Sequence, residues 1–168
     1  MHILIATTGV LPPGPTAALC SKLWDESTRL TVMTVIEVPR TFLESMDEDE
    51  RRSFLHDGDW ETQTAELKAL GYLEERGKRA VDPIVSALAL AHMDAEVAFV
   101  EDTDPAEAII RAAREREADL IMMGATKRLF TEQSWTSVSN RVMERTQCPL
   151  LLVPSPRIEE AADPRREP

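Results

Sequence analysis

The chain has 168 residues, 43% hydrophobic and 29% charged, with a formal net charge of −11. That size and balance are ordinary for one soluble globular domain with a core large enough to fold alone. No run reaches the roughly 18–20 apolar residues of a membrane span, and the acidic excess argues against a nucleic-acid surface, which needs a basic patch.

The segment Met1-His2-Ile3-Leu4-Ile5 enters a strand-like run without a basic leader or cleavage site, so it reads as no signal peptide. His2–Thr7 is apolar and rich in β-branched residues, bounded by Thr8-Gly9, and is expected to be a buried strand. Residues 11–15 (LPPGP) exclude a helix interior, but Pro15 suits the first turn of a helix continuing through Ala17, Leu19, Leu23 and Trp24. Arg29–Val38 is the second expected strand, stopped by Pro39. The stretch 40–92 reads as helical, in two pieces broken near Gly58. Its second piece sets Leu70, Leu73, Gly77, Ala80, Val81, Ile84, Leu88 and Ala91 on one face. Pro83 there implies a kink or a new start capped by Asp82.

Glu96–Val100 is the third expected strand. Asp104 then caps a helix with Pro105 in its first position, Ala108, Ile109, Ala112 and Ala113 inward, and Arg111, Arg114 and Arg116 outward. Asp119–Met123 is the fourth strand, Ser134–Thr146 a helix, and Leu150–Val153 the fifth strand. Alternating strands and helices, with nearly continuous apolar strands, predict an α/β fold: a doubly wound five-stranded parallel sheet with helices on both faces. A ligand would then lie outside the carboxyl ends of the strands, at Thr7–Gly9, Val35–Val38 and Gly124–Arg128. The loop after Met123-Gly124 is rich in Thr, Lys, Arg and Ser, a setting in which anions are held by backbone N–H groups.

Charge is uneven along the chain. Between Glu44 and Glu66 nine acids stand against Arg51 and Arg52, a local net of −7, which reads either as a solvated face or as a docking surface for a basic protein partner. The tail 155–168 has three prolines, seven charged residues and one large apolar side chain, Ile158, and is expected to be disordered. His2, His56 and His92 fall on separate elements with no triad or zinc pattern. Cys20 and Cys148 lack CxxC spacing and read as free thiols of a cytoplasmic chain. Ser137 and Ser139 suit a helix cap without catalytic duty, while Trp60 and Trp135 sit in polar neighbourhoods, either as interface anchors or partly buried.

The motifs ILIATTG, DPAEAIIRAAREREADLIMMGATKR and SVSNRVMERTQCPLLLVP together resemble the universal stress protein family over residues 2–153. The resemblance implies a domain spanning residues 1–154 with an adenine nucleotide alpha hydrolase-like, Rossmann-like fold, often dimeric through its last strand and used in stress adaptation. Members that bind ATP carry Gly, two residues, Gly, nine residues, then Gly-Ser or Gly-Thr. Laid onto this chain the positions are Gly124, Lys127 and, after eight residues rather than nine, Thr136 followed by Ser137, so one glycine of three is kept. The Asp that ends the first strand in that class corresponds to Thr8. A Lys side chain fills space that glycine leaves open for a triphosphate and resists positive φ.

Two readings follow. In the first, the chain is a cytoplasmic stress-response module, not an enzyme, that dimerises through Leu150–Val153 and acts by binding partners without ATP in the family's usual manner. In the second it binds ATP with Mg²⁺, with at most slow hydrolysis, through Thr8, Gly9, Val35, Gly124, Thr126, Lys127, Arg128, Ser137 and Val138. There Lys127 and Arg128 would replace backbone contacts with charge.

Overall fold

Successive side chains of a strand point to opposite faces, and in β1 (His2–Ala6) both sets are buried. Ile3 and Ile5 enter one apolar cluster, Leu4 and Ala6 another. A strand that is apolar on both faces must be covered on both, and the computed structural model shows it at the centre of the sheet. Described are residues 1–36, 60–125 and 137–154, without the side chains of 60–70 and 72–73. In chain order, β1 is followed by α1 (Pro13–Leu23), β2 (Arg29–Ile36), α2 (Trp60–Leu90), β3 (Glu96–Glu101), α3 (Pro105–Glu115), β4 (Leu120–Ala125), α4 (Val138–Arg145) and β5 (Leu150–Pro154).

The five strands form one parallel sheet in the order β3-β2-β1-β4-β5, the doubly wound architecture the sequence predicts. The chain winds outward from β1 through β2 to β3, then crosses back to β4 and β5, which makes the β1–β4 boundary the switch point. Ile3, Ile5, Val32 and Met122 pack with Ala17 and Cys20 of α1 and Val81, Ile84 and Leu88 of α2. Leu4, Met33, Ile121 and Met123 pack on the other face with Ile109, Ile110 and Ala113 of α3 and Val142 of α4. Among the described residues, no helix is long and apolar enough to cross a membrane.

Local sequence sets the helix ends. Helix α1 starts at Pro13, two residues before the expected Pro15, because its first-turn N–H groups have no intrahelical partner and prolines there forfeit nothing. Helix α2 runs unbroken through Pro83, so the new start at Asp82 is not formed. Pro83 is exposed, whereas Val81, Ile84 and Leu88 on either side of it are buried, and their burial outweighs one lost backbone bond. Gly77 is a close approach: a methyl group there would lie 2.5 Å from the Phe99 ring. Ala91, expected on the buried face, is exposed beyond the helix end.

Two helices end in a left-handed residue that is not glycine. His92 (φ 56°) follows α2, where Met93 N donates to Leu88 O at 3.0 Å and His92 N to Ala89 O at 3.0 Å. Glu117 (φ 51°) follows α3, where Ala118 N donates to Ala113 O at 2.8 Å and Glu117 N to Arg114 O at 3.2 Å. Both are Schellman closures, and burial of Leu88 against Met93 supplies the accompanying apolar contact. Several expectations lie outside the described residues: the end of the second strand at 37–38, the break near Gly58, the acidic residues from Glu44 to Asp59 and the tail from 155.

Candidate functional site

Register brings three residues level at the carboxyl end of the sheet. Ala6 pairs with Met33 on β2 and with Met123 on β4, and together they floor a cleft of about 160 Å³ at the switch point. Beyond them the chain leaves β1 in a tight turn. Thr7 N still donates to Met33 O at 2.9 Å, and Thr7 Oγ1 accepts from Gly9 N at 3.0 Å. That turn needs φ +91° at Gly9, a conformation glycine adopts without strain. It sends Val10 and Leu11 over the cleft, Leu11 buried and Val10 exposed.

The opposite wall comes from two helix starts. Pro105 and Ile109 of α3 line it, held by Asp104, whose Oδ1 accepts from Ala106 N at 3.1 Å and Glu107 N at 3.2 Å. Ser137, Val138 and Ser139 line it from the start of α4, where Ser137 Oγ accepts from Asn140 N at 3.3 Å and lies 3.3 Å from Ser139 Oγ. The backbone N–H of Glu107, then the Arg141 guanidinium, hold the Asp104 carboxyl below the usual Asp range. The Asp102 carboxyl is lowered likewise, by the Asp104 backbone N–H and then Arg111.

Of the sequence-predicted residues, Thr8, Val35, Gly124, Ser137 and Val138 meet in this cleft. Gly9 shapes the turn beside it without lining it, and Thr126, Lys127 and Arg128, like Thr136, lie outside the described residues. A methyl group at Gly124 would meet Leu11 and Val10 at 3.8–3.9 Å, ordinary contact distance, so the described residues do not demand glycine there. Sequence reasoning missed the apolar floor and walls: Ala6, Met33, Met123, Leu11, Pro105 and Ile109. The signal was present in the strand-end rule, which also places the start of the helix after β3 at that edge.

Among the described residues, the lining is apolar side chains plus the hydroxyls of Thr7, Thr8, Ser137 and Ser139, with no charged group. Such a surface can hold a flat or apolar ring and direct a few hydrogen bonds to it; it offers no acid–base or nucleophile pair of the kind catalysis uses. Neither cysteine enters it. Cys20 is fully buried in the α1 core, and burial pushes its thiol up to about 11. Burial also raises Cys148, whose Sγ donates to Ala118 O at 3.1 Å. His2 is at the far end of β1 and His92 at the end of α2, while His56 lies outside the described residues, as do Trp135 and the side chain of Trp60.

No curated protein matches it. Among solved structures it is similar to a universal stress protein family protein from Burkholderia pseudomallei, with 24% identity, 92% of this chain and 96% of that chain covered, and a TM-score of 0.56. It is likewise similar to a universal stress protein family protein from Arabidopsis thaliana with AMP bound, at 14% identity, 98% and 97% coverage and a TM-score of 0.56. A universal stress protein in complex with cAMP matches at 19% identity, 93% and 98% coverage and a TM-score of 0.54. These likenesses carry the fold. The model of the universal stress protein family matches residues 2–154, nearly the whole chain, and the chain belongs to that family.

Proposed function

We propose that this protein is a stress-response binding module whose cleft takes the ring of an adenine-type ligand, without the phosphate cradle of ATP-binding relatives and without catalysis. The observation that carries the reading is the uncharged, apolar lining at the switch point, about 160 Å³ among the described residues. That space is below the ~300 Å³ at which drug-sized ligands begin to be enclosed, so it suits a base with its remaining groups outside. Relatives of the same fold with AMP or cAMP bound support an adenine-containing ligand. The described lining has no carboxylate for Mg²⁺, and Lys127 and Thr136 stand where glycines admit a triphosphate in the ATP-binding class.

The test is calorimetric titration of nucleotide-stripped protein with adenosine, AMP and ATP with Mg²⁺. Adenosine and ATP binding within about tenfold of each other, a difference of ~1.4 kcal/mol, is the expected result. Micromolar ATP with no adenosine binding would mean that Lys127 and Arg128 hold the phosphates and would overturn it. If instead lost glycines are what weakens ATP, Lys127→Gly with Thr136→Gly should tighten it.

The second reading, action through protein contacts alone, is favoured by the apolar β5 at the sheet edge. An apolar edge strand must be paired or covered, and we place a homodimer seam at Leu150–Val153. Leu151→Lys should then yield monomer or insoluble protein; an unchanged dimer by light scattering removes that seam. The acidic residues Glu44–Glu66 are the proposed surface for a basic protein partner. Two unpaired cysteines support a cytoplasmic setting.

A further inference from the structure

The two helices that wall the cleft are tied to each other by charge. Asp104 caps α3 through Oδ1, and its Oδ2 accepts from Arg141 Nη2 of α4. Glu107 of α3 accepts through Oε2 from Arg145 Nη2 of α4 at 2.5 Å. Asp104 caps α3 and Glu107 lies in its first turn, and Arg141 and Arg145, four residues apart, share one face of α4. Glu107 is three residues after the cap, where a Glu often folds back onto the cap's own N–H. Here Asp102 accepts that N–H at 2.9 Å, which leaves Glu107 to the neighbouring helix.

These pairs differ from those within α2, Glu74–Lys78 and Glu75–Arg79, which join residues of one helix and move nothing relative to anything else. The α3–α4 pairs bridge elements that contribute opposite stretches of one wall, Pro105 and Ile109 from α3, Ser137 to Ser139 from α4. Helix α4 is also lightly anchored. Its eight residues bury Ser139, Asn140 and Val142, one apolar side chain among them, whereas α3 buries six. Its position therefore depends on polar contacts more than that of any helix facing it.

We propose that Asp104–Arg141 and Glu107–Arg145 form a salt-sensitive latch that holds the first turn of α4 over the cleft, so that ligand retention falls as ionic strength rises. The proposal rests on the cleft being the ligand site. All four side chains are 36–48% exposed, open to screening by counterions. The Debye length contracts from about 10 Å at 0.1 M salt to about 3 Å at 1 M, so the pairs weaken in that interval.

Hydrogen exchange on the full chain tests the latch without any ligand. Between about 0.05 and 0.5 M NaCl, α4 amides should exchange roughly fivefold faster while α1 amides stay constant. Glu107→Gln with Arg145→Gln removes one of the two pairs and keeps the Asp104 cap, so α4 should exchange faster at low salt and show a smaller salt response than the natural protein. The charge swap Glu107→Arg with Arg145→Glu should restore slow exchange at low salt. Salt-independent exchange of α4 in the natural protein, or no rescue by the swap, overturns the latch.

Adenosine, which is uncharged, then reports the cleft. Calorimetry should show its affinity about two- to fivefold weaker at high salt in the natural protein, and a smaller salt effect in the Gln variant, which keeps only Asp104–Arg141. Equal affinity at both salts while α4 exchange moves would show that the latch does not govern the cleft. No adenosine binding at either salt overturns the ligand reading and the claim of retention with it, while the exchange data still decide whether α3 and α4 are latched.

Discussion

The two ends of β1 are built on opposite principles. At its start, His2 is buried and every polar atom has a partner: Nδ1 donates to Arg116 O at 2.8 Å, Nε2 lies 2.9 Å from Thr31 Oγ1, and the backbone N donates to Asp119 Oδ2 at 2.7 Å. Arg29 N to Met1 O at 2.8 Å and Asp119 N to His2 O at 2.9 Å close the same end across both neighbouring strands. At the other end Thr8, Gly9 and Val10 are exposed, and the strand opens over a cleft of hydroxyls and apolar walls. One strand thus carries a saturated end that stabilises and an open end that borders the cleft. Buried polar groups cost free energy unless partnered, so a cleft open to a ligand belongs at the exposed end, where polar groups can still meet water.

Mutations can separate the two ends. Leu4→Ala removes a fully buried side chain midway and should damage both, by about 3 kcal/mol in urea unfolding, within the range for buried Leu to Ala changes. A cost under ~1 kcal/mol would mean that the α3 face repacks freely. His2→Ala strikes only the saturated end and strands the Arg116 carbonyl, with an expected cost of ~2 kcal/mol and no change in ligand affinity; a large affinity change would dissolve the division. Glu117→Gly, also at the saturated end, relieves the φ of 51° and should stabilise by ~0.5–1 kcal/mol, read as a higher midpoint at unchanged slope. Thr8→Ala should leave stability within ~0.5 kcal/mol, as exposed sites do, while altering adenosine affinity, since Thr8 lines the cleft.

Acid treats the two ends alike. Asp25, in the turn before β2, has its carboxyl lowered by the Ser27 hydroxyl, then Thr28, and Asp104 is lowered at the cleft end. A lowered folded-state pKa contributes stability above the unfolded value, lost as the pH falls through the folded one. Stability carried by these groups should therefore be flat from neutral pH to about pH 5 and decline only below the usual Asp range. Asp25→Asn and Asp104→Asn, measured by denaturant unfolding, should each flatten part of that acid slope.

Much of this was legible in one dimension because its causes are local. The continuous burial of β1, the Asp104-Pro105 start of α3, the Ser137 cap and the place of Gly124 at a strand end all follow from neighbouring residues. The misreadings came where distant residues outvoted a local rule. Pro83 did not restart the helix because Val81, Ile84 and Leu88 are held by the sheet.

By itself the sequence determined the fold class, the order of its elements and the end of the sheet at which the cleft opens, since hydrophobic patterning and capping act over a few residues. Only the tertiary structure decided what that end is made of. Ala6, Met33 and Met123 become one floor because parallel pairing sets them level, and Asp104 and Glu107 meet Arg141 and Arg145 because α3 and α4 pack side by side. Those contacts join residues more than twenty positions apart, and no local pattern records the register or packing that brings them together.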